Sequence, residues 1–600
     1  IGRFPISSIK NARLVVDKLY RYVHDKDFSS WKNNICIAAD DGDEAIHAEQ
    51  ADRGSDTLLL KNTSQPRLGF RVNKIYIDSY YMDPQTKKYP EANRELMKQF
   101  NEGMLVFNYI GHNDSEVGFT GEGLFSRYEM DHLTNTRLPL FITITCDYCQ
   151  FDAEDVSAGE NVFLNPSAGA IALITTTRVV YTDGNDKINR RLMKRLLERD
   201  SNGSPLRIGD VLKLAKRDFN TEIDKNKLNY VLIGDPALKL AYPEHSIQVT
   251  RINGNSGEKN IEMIPGKNYT VEGEIRSHQN ELLSDFNGYI YYNLYDKEKQ
   301  FTTLAHQDKK TWTYTHRPDL LTTGKGTIQN GTFRITVTLP IDNSHSGKSG
   351  LLNLYAYDES GREANGYTDK LIVSTAVEPI TEDIQGPDIE FAGINDDSFT
   401  EGILVNNPAT FVCKFSDPSG IWSGNSLGKQ MTLSLDGACI EENVARYYKP
   451  IAESEIPEGE FIYPLPRLSN GLHTLTFKVF DTLGNSSEVT IAFEVKENSE
   501  TYTISLEEEP ATERATISCQ DQNGNDVTES KHTRISVTNT LGEEIWSYET
   551  TENNLFPLTW NLQDNNGKRV SAGQYYCKGY FETSAGTIVT PAKKIVVITQ

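Results

Sequence analysis

Cysteine is scarce in this chain, with seven in 600 residues. An odd, thinly spread set makes no disulfide scaffold, so at least one thiol is free or pairs between chains. Long apolar runs are missing as well. No stretch of about 18 or more apolar residues occurs, which excludes a membrane-crossing helix. Positive charge is in deficit: 61 Lys and Arg stand against 84 Asp and Glu, for a net charge of -23. That balance argues against nucleic acid as a partner, because sequence-independent binding needs basic surface to displace counterions. A structural calcium ion fits it better, and nothing in the sequence requires a catalytic cofactor. The chain starts at Ile1 rather than methionine and shows no signal-peptide layout, so its start reads as an internal boundary.

What is present divides into two textures. Single cores stop growing near roughly 250 to 300 residues, and a chain of this length should form about four domains. Over residues 1–245, short apolar strands alternate with helical periodicity. Strands are expected at Asn34 to Ala39, Lys74 to Ile77, Met104 to Ile110, Leu138 to Thr145, Ala168 to Thr175 and Tyr230 to Ile233. Helices are expected at Ala12 to Asp25, with Leu14, Val15, Leu19 and Val23 on one face, at Asn93 to Phe100, and at Ile208 to Phe219. This is the pattern of a mostly parallel sheet with flanking helices, an α/β domain. After Tyr242-Pro243-Glu244 the texture turns to period-two alternation with turn glycines and asparagines. Three all-β, immunoglobulin-like or sandwich domains are expected, over 246–383, 384–497 and 498–600, with joints at Glu378 to Pro387 and Lys496 to Thr501.

The chemistry concentrates at two strand ends. Gly111-His112 closes one apolar run and Cys146 closes another. Open α/β sheets place ligands at the carboxyl ends of their strands, and an imidazole beside a thiol can generate a thiolate that attacks a carbonyl. Cys146 is therefore the candidate nucleophile and His112 the candidate base. Taken singly, each has a plainer reading, as a loop histidine and a small buried cysteine. The developing oxyanion would face backbone N–H groups of Cys146 and of the Gly111 to Asn113 turn. Asp40 and Asp41 end the first strand on the same sheet edge and could orient the imidazole. With Asp43 and Glu44 they could equally be a solvated turn or a calcium loop. Cys146 and Cys149 also form a Cys-x-x-Cys pair, which could close as a disulfide and silence the thiol. By resemblance to caspase-like folds, in which the segment after the next strand lines the substrate pocket, Thr175, Thr176, Thr177, Val179, Val180 and Tyr181 are implied to line one here. Their side chains favour a small or polar residue, and Asp183 and Asp186 lie further along.

The His-then-Cys order follows caspase-like peptidases. The first domain further resembles the gingipain family of caspase-like cysteine peptidases through Ile1 to Phe4, Ile35 to Gly42, Asn108 to His112, Leu133-Thr134-Asn135, Leu138 to Phe141, Cys146, Gly169 to Ile174 and Leu232 to Pro236. That resemblance implies a caspase-like fold, Cys146 as nucleophile, His112 as base and Asp41 as the supporting acid. It also implies a further α/β half upstream of Ile1. Asn113 and Cys149 stand where the family has glycines. The whole chain is similar to the C-terminal half of the sortases of the type IX secretion system within that family, and Trp560 to Ile598 resembles the C-terminal signal domains of their cargo. The resemblance implies an endopeptidase and transpeptidase that removes such domains from secreted cargo and joins the cargo to an amine acceptor on anionic lipopolysaccharide. It further implies a cell-surface location and an outer-membrane β-barrel partner. A secreted gingipain-like protease without transpeptidation and a catalytically silent surface adhesin are the competing readings.

Overall fold

Isoleucine and alanine without a polar break give Asn34–Ala39 two covered faces, and Ile35 through Ala39 have no solvent exposure. Such strands belong inside a parallel sheet. A computed structural model describes the chain except for residues 62, 64–65, 114–117, 120–122, 219–225, 308, 342–346, 375–382, 396–403, 406, 425–427, 442, 452–455, 496–501, 508–509, 522–523, 529, 541–542, 554, 584–585 and 599–600. The first domain runs α1 (Ile9–Val23), β1 (Asn34–Ala39), α2 (Ile46–Leu59), β2 (Arg71–Tyr76), α3 (Pro90–Glu102), β3 (Val106–Ile110), β4 (Leu140–Ile144), α4 (Ala158–Leu164), β5 (Ala172–Thr176), α5 (Thr182–Leu196), α6 (Ile208–Arg217) and β6 (Tyr230–Ile233). The strands form one sheet in the order β2-β1-β3-β4-β5-β6. All neighbours are parallel except β5 and β6.

Helices cover both faces. α2, α5 and α6 pack Ala48, Ala51, Leu58, Ile188, Leu192 and Val211 against Ile35, Ile110, Ile144 and Ile174. On the opposite face α1, α3 and α4 bring Val15, Leu96, Phe100 and Phe163 onto Cys36, Phe107, Tyr109 and Phe141. α2 carried no strong apolar stripe in the sequence. It is held by close approach instead, since a Cβ on Gly54 would lie 3.0 Å from Asn189 of α5. The helix expected at Asn93 starts earlier, with Pro90 supplying the first-turn φ, and stops at Gly103, whose φ is +90°. The expected end of the third helix, Phe219, lies outside the described residues.

α1 departs from expectation on its buried face. Val23 is exposed, and the helix buries Val15, Lys18 and Tyr22. Lys18 is covered because its Nζ donates to the carbonyls of Phe163, Asn165 and Ala168 at 3.0, 3.0 and 2.8 Å. A periodicity count sees only the charge.

The region after the first domain is all-β, in two architectures. Expected as a sandwich, the unit over 246–383 is instead a closed barrel. His245–Ile252, Asn268–Arg276, Thr332–Thr338, Leu320–Gln329, Gly288–Tyr295, Leu351–Asp358 and Glu363–Thr368 follow one another, and the last pairs in parallel with the first. Closure removes both sheet edges. A hairpin of this unit, Lys299–Thr302 with Thr313–His316, docks on the first domain. Trp312 Nε1 donates to Asp52 at 3.3 Å, and the Ala305 and His306 amides donate to Asp78 at 2.7 and 2.9 Å. Beyond it, a four-stranded and a five-stranded sheet enclose one apolar cluster from Ile394 to Val495. A three-stranded and a five-stranded sheet enclose another, from Ile504 to Val597. Half of the first expected joint, residues 378–382, and all of the second, Lys496 to Thr501, lie outside the described residues.

Two measurements follow from these contacts. Lys18→Met should leave the buried carbonyls of Phe163 and Ala168 and the part-buried carbonyl of Asn165 without this donor and destabilise the first domain by about 3 kcal/mol in urea unfolding. Asp417, beside the carboxylates of Asp383 and Asp481, has its pKa pushed up to about 7 by burial, with those two charges adding to the rise and the Ser419 N–H opposing it. The folded state therefore holds a proton that the unfolded chain has released. That stabilisation is present below the ordinary carboxyl range and is lost as pH rises through about 7. The melting transition reported by Trp422 should move upward between about pH 8 and pH 5, and Asp417→Asn should flatten that dependence.

Candidate active site

Ile110 of β3 lies opposite Ile144 of β4, and both face the helix layer of α2 and α5. Side chains on a strand alternate in direction, so positions 112 and 146, two residues further along, are aimed at that same face. Cys146 packs partly buried against its apolar cluster. Imidazole and thiol thus leave the carboxyl ends of adjacent strands on one rim. Asn113 ties the two ends together, its Nδ2 donating to the Cys146 carbonyl at 3.2 Å.

The histidine is held by a carboxylate beneath it. The Asp40 amide donates to the Ile110 carbonyl at 3.2 Å, and Asp40 Oδ2 accepts from the His112 N–H at 2.6 Å. A Cβ on Gly111 would lie 2.3 Å from Asp40 Cγ, so only glycine fits between them. Tyr109 adds a second hold, donating from its hydroxyl to the His112 carbonyl at 2.7 Å. Under this stack Tyr109, Phe119 and Tyr148 lie ring on ring, with centroids 3.9 and 4.8 Å apart. One aromatic column supports the segments after both strands.

Asp43, Glu44 and Ala45 follow with φ of 52°, 61° and 63°. Three consecutive left-handed residues, none of them glycine, cost roughly 1 to 2 kcal/mol each. The strained turn delivers Asp43, whose Oδ2 lies 3.0 Å from His112 Nε2 and 3.6 Å from His47 Nε2. With Nε2–H donating to Asp43, the Nδ1 lone pair of His112 is left to act as base. His47 is buried, and its Nδ1 lies 2.5 Å from Asp40 Oδ1. Burial alone would lower the His47 pKa, but the carboxylates of Asp40 and Asp43 outweigh it and raise the pKa above its ordinary value.

Several expected residues take other places. Asp41 turns to a different partner. It is buried and accepts from the Tyr89 hydroxyl at 2.6 Å, while Asp43 supplies the His112 ring's carboxylate. Thr175 and Thr176 have no exposed surface and cannot line a pocket, because Thr143 donates to Thr175 at 2.6 Å and Thr176 donates to the Thr145 carbonyl at 2.5 Å. Thr177 is half-buried, its amide donating to Asn229. Val180 is buried, and its carbonyl accepts from Cys146 Sγ at 3.5 Å. Val179 and Tyr181 flank it at 56% and 71% exposure. Asp183 is exposed and Asp186 pairs with Arg190 at 2.9 Å. Cys149 packs into the opposite face of the sheet from Cys146, its thiol pushed up to about 12 by burial, so the two sulphurs are not placed to bond. No hydrogen bond joins His112 to Cys146 among the described residues, and neither the Asn113 nor the Cys146 amide has an acceptor among them. Asp147, with φ of 48°, turns the chain sharply just after the thiol.

Sequence reasoning missed His47, Tyr109, Phe119 and Tyr148. The signal for His47 was its place four residues after Asp43, although the structure brings the two together across the left-handed turn and not along one helix.

Residues 1–241 match the sequence profile of peptidase family C25, which supports a cysteine peptidase. No curated protein sequence matches the chain. Among solved structures, dimeric latent PorU from Porphyromonas gingivalis is similar at 24% identity, covering 72% of this chain and 41% of that one, with a TM-score of 0.31. The complex of the pro- and mature domains of RgpB from Porphyromonas gingivalis is similar at 17% identity, covering 62% of this chain and 76% of that one, with a TM-score of 0.33. This chain therefore spans less than half the length of the PorU structure.

The environments of the seven thiols predict an order of reaction. Cys149, Cys413, Cys519 and Cys577 are pushed up to about 12 by burial, and Cys36 is raised the same way. Cys146 is partly open and Cys439 exposed. Iodoacetamide near neutral pH should alkylate only these two, read by peptide mass mapping. His112→Ala should slow Cys146 by about tenfold or more and leave Cys439 unchanged.

Proposed function

We propose that this chain is the nucleophile-bearing portion of a cysteine endopeptidase of the C25 type that works as a transpeptidase on secreted proteins. The observation that carries the reading is the delivery of Cys146 and His112 to one rim by adjacent parallel strands, within the segment that matches the peptidase family. His112 Nδ1 takes the thiol proton, and the thiolate attacks the scissile carbonyl. The backbone amides of Cys146 and Asn113 stabilise the oxyanion. His112 then returns the proton to the departing amine as the C–N bond breaks and the thioester forms. A second amine attacks the thioester, His112 takes its proton, and sulphur leaves as thiolate. Water in place of that amine gives simple hydrolysis. Asp43 stabilises the imidazolium, and Asp40 fixes the backbone from which the ring hangs.

Substrate choice falls to the exposed Val179 and Tyr181 and to Asp147. Arg178 is occupied by Asp152 at 2.6 Å. The cargo we infer is a secreted protein carrying a C-terminal β-domain like residues 498–600, and the acceptor is an amine of anionic lipopolysaccharide. On this reading the enzyme sits at the cell surface, with the β-domains meeting an outer-membrane β-barrel partner. The basis is the resemblance of Trp560 to Ile598 to cargo signal domains.

Cys146→Ala should abolish cargo processing in cells, and His112→Ala should lower it by about 10² to 10⁴-fold. The mass of the new cargo carboxyl terminus tests the second step. An amine adduct is expected. A free carboxylate would reduce the enzyme to a hydrolase, and processing that survives Cys146→Ala would leave the chain a scaffold or adhesin.

A further inference from the structure

Beside the thiol, the structure gathers two imidazoles and two carboxylates. One donor atom each from Asp40, His47 and His112 lies within 4.8 Å of the other two, and Asp43 Oδ2 joins them at 3.0 Å from His112 and 3.6 Å from His47. The two rings meet edge to face, with centroids 5.0 Å apart. A tetrahedral ion with bonds of about 2.0 to 2.1 Å needs donors about 3.3 Å apart, a spacing that these two distances bracket. Imidazole nitrogen with carboxylate oxygen is a donor set for a borderline ion, whereas calcium takes oxygen alone.

The surroundings are also those of a ligand site. Metal-bound histidines are commonly backed by a carboxylate on their second nitrogen, and Asp40 stands 2.5 Å from His47 Nδ1, with side-chain exposures of 1% and 6%. Those two buried atoms are close but not aligned for a hydrogen bond. On the open side, the His112 and Asp43 side chains are 61% and 49% exposed, which provides a route of entry.

We propose that Nε2 of His112, Nε2 of His47 and Oδ2 of Asp43 bind a divalent ion of the zinc class, with Asp40 behind His47, and that binding switches the site off. The ion takes the lone pair of His112 Nε2, and the single proton of the neutral ring moves from Nε2 to Nδ1. The ring then has no lone pair for the thiol. No net proton leaves this ring, and chelation lets the proton return to Nε2 and restores the base. The binding stands apart from the peptidase reading, whereas the inhibition rests on it.

Cobalt(II) serves as the probe, titrated into the full chain with excess calcium present to occupy carboxylate-only clusters. One equivalent should bind with the intense d–d absorption of a tetrahedral site and no sulphur-to-cobalt charge-transfer band, and Cys146→Ala should bind equally well. His47→Gln should weaken binding by tenfold or more. So should Asp43→Asn, a change at a half-exposed residue that guards against loss of fold. A charge-transfer band that vanishes in Cys146→Ala would assign the ion to the thiol and overturn the site, as would binding indifferent to His47→Gln and Asp43→Asn. In the activity arm, zinc should inhibit cargo cleavage reversibly, with EDTA restoring it. If no cleavage is ever seen, the cobalt result still decides the binding.

Discussion

The site depends on one buried carboxylate. Asp40 leaves the end of β1, receives the His112 N–H at 2.6 Å, fills the space beside Gly111 and stands 2.5 Å from the imidazole of His47. Three segments are fixed by that single side chain: the turn after β1, the turn after β3 and the start of α2. An unpaired buried carboxylate would be costly, so the N–H and the imidazole around it are required by the carboxylate as much as they are served by it. Asp43 can reach the outer edge of the His112 ring only because this arrangement holds the left-handed turn beneath it. The strain of that turn is tolerated where the chemistry needs a carboxylate in one place.

Much of this arrangement follows from strand periodicity. β1, β3, β4 and β6 are apolar on both faces, and β3 and β4 close on the two reactive residues, so their carboxyl-end placement was legible in the sequence. The pleat does the rest, because Ile110 and Ile144 in register put the next-but-one residues on a common face. Side-chain pairing was not legible in the same way. Asp40, Asp41 and Asp43 are interchangeable in composition, but the path of the turn sends Asp41 inward to Tyr89 and Asp43 outward to His112. Thr175 and Thr176 stand where position alone suggests a pocket and are consumed in the sheet. Lys18 hid a buried position behind a charge. The barrel over 246–383 was equally hidden, because alternation reports that a strand has one covered face and is silent on whether the sheet closes.

The two cysteines of the Cys-x-x-Cys pair show how the fold separates like groups by function. Cys149 points into the aromatic layer with Tyr148 and Phe119, where burial keeps it a thiol. Cys146 stays at the rim of the other face, only partly buried, at the end of the strand beside the one that leads to His112. The sharp turn at Asp147 parts them. The docked hairpin of the barrel extends the same support outward. Asp78, which accepts from Ala305 and His306, follows directly on β2, the strand beside β1.

The shared rim can be measured by covalent trapping. Neighbouring strands run about 4.7 to 4.9 Å apart, and a disulfide needs Cα atoms about 4.4 to 6.8 Å apart with converging side chains. In a Cys439→Ser background, His112→Cys should form a disulfide with Cys146 under mild oxidation, seen as one crosslinked peptide by mass spectrometry. If both thiols remain free and alkylate independently under the same oxidation, the two side chains do not share a rim and the account of the site fails.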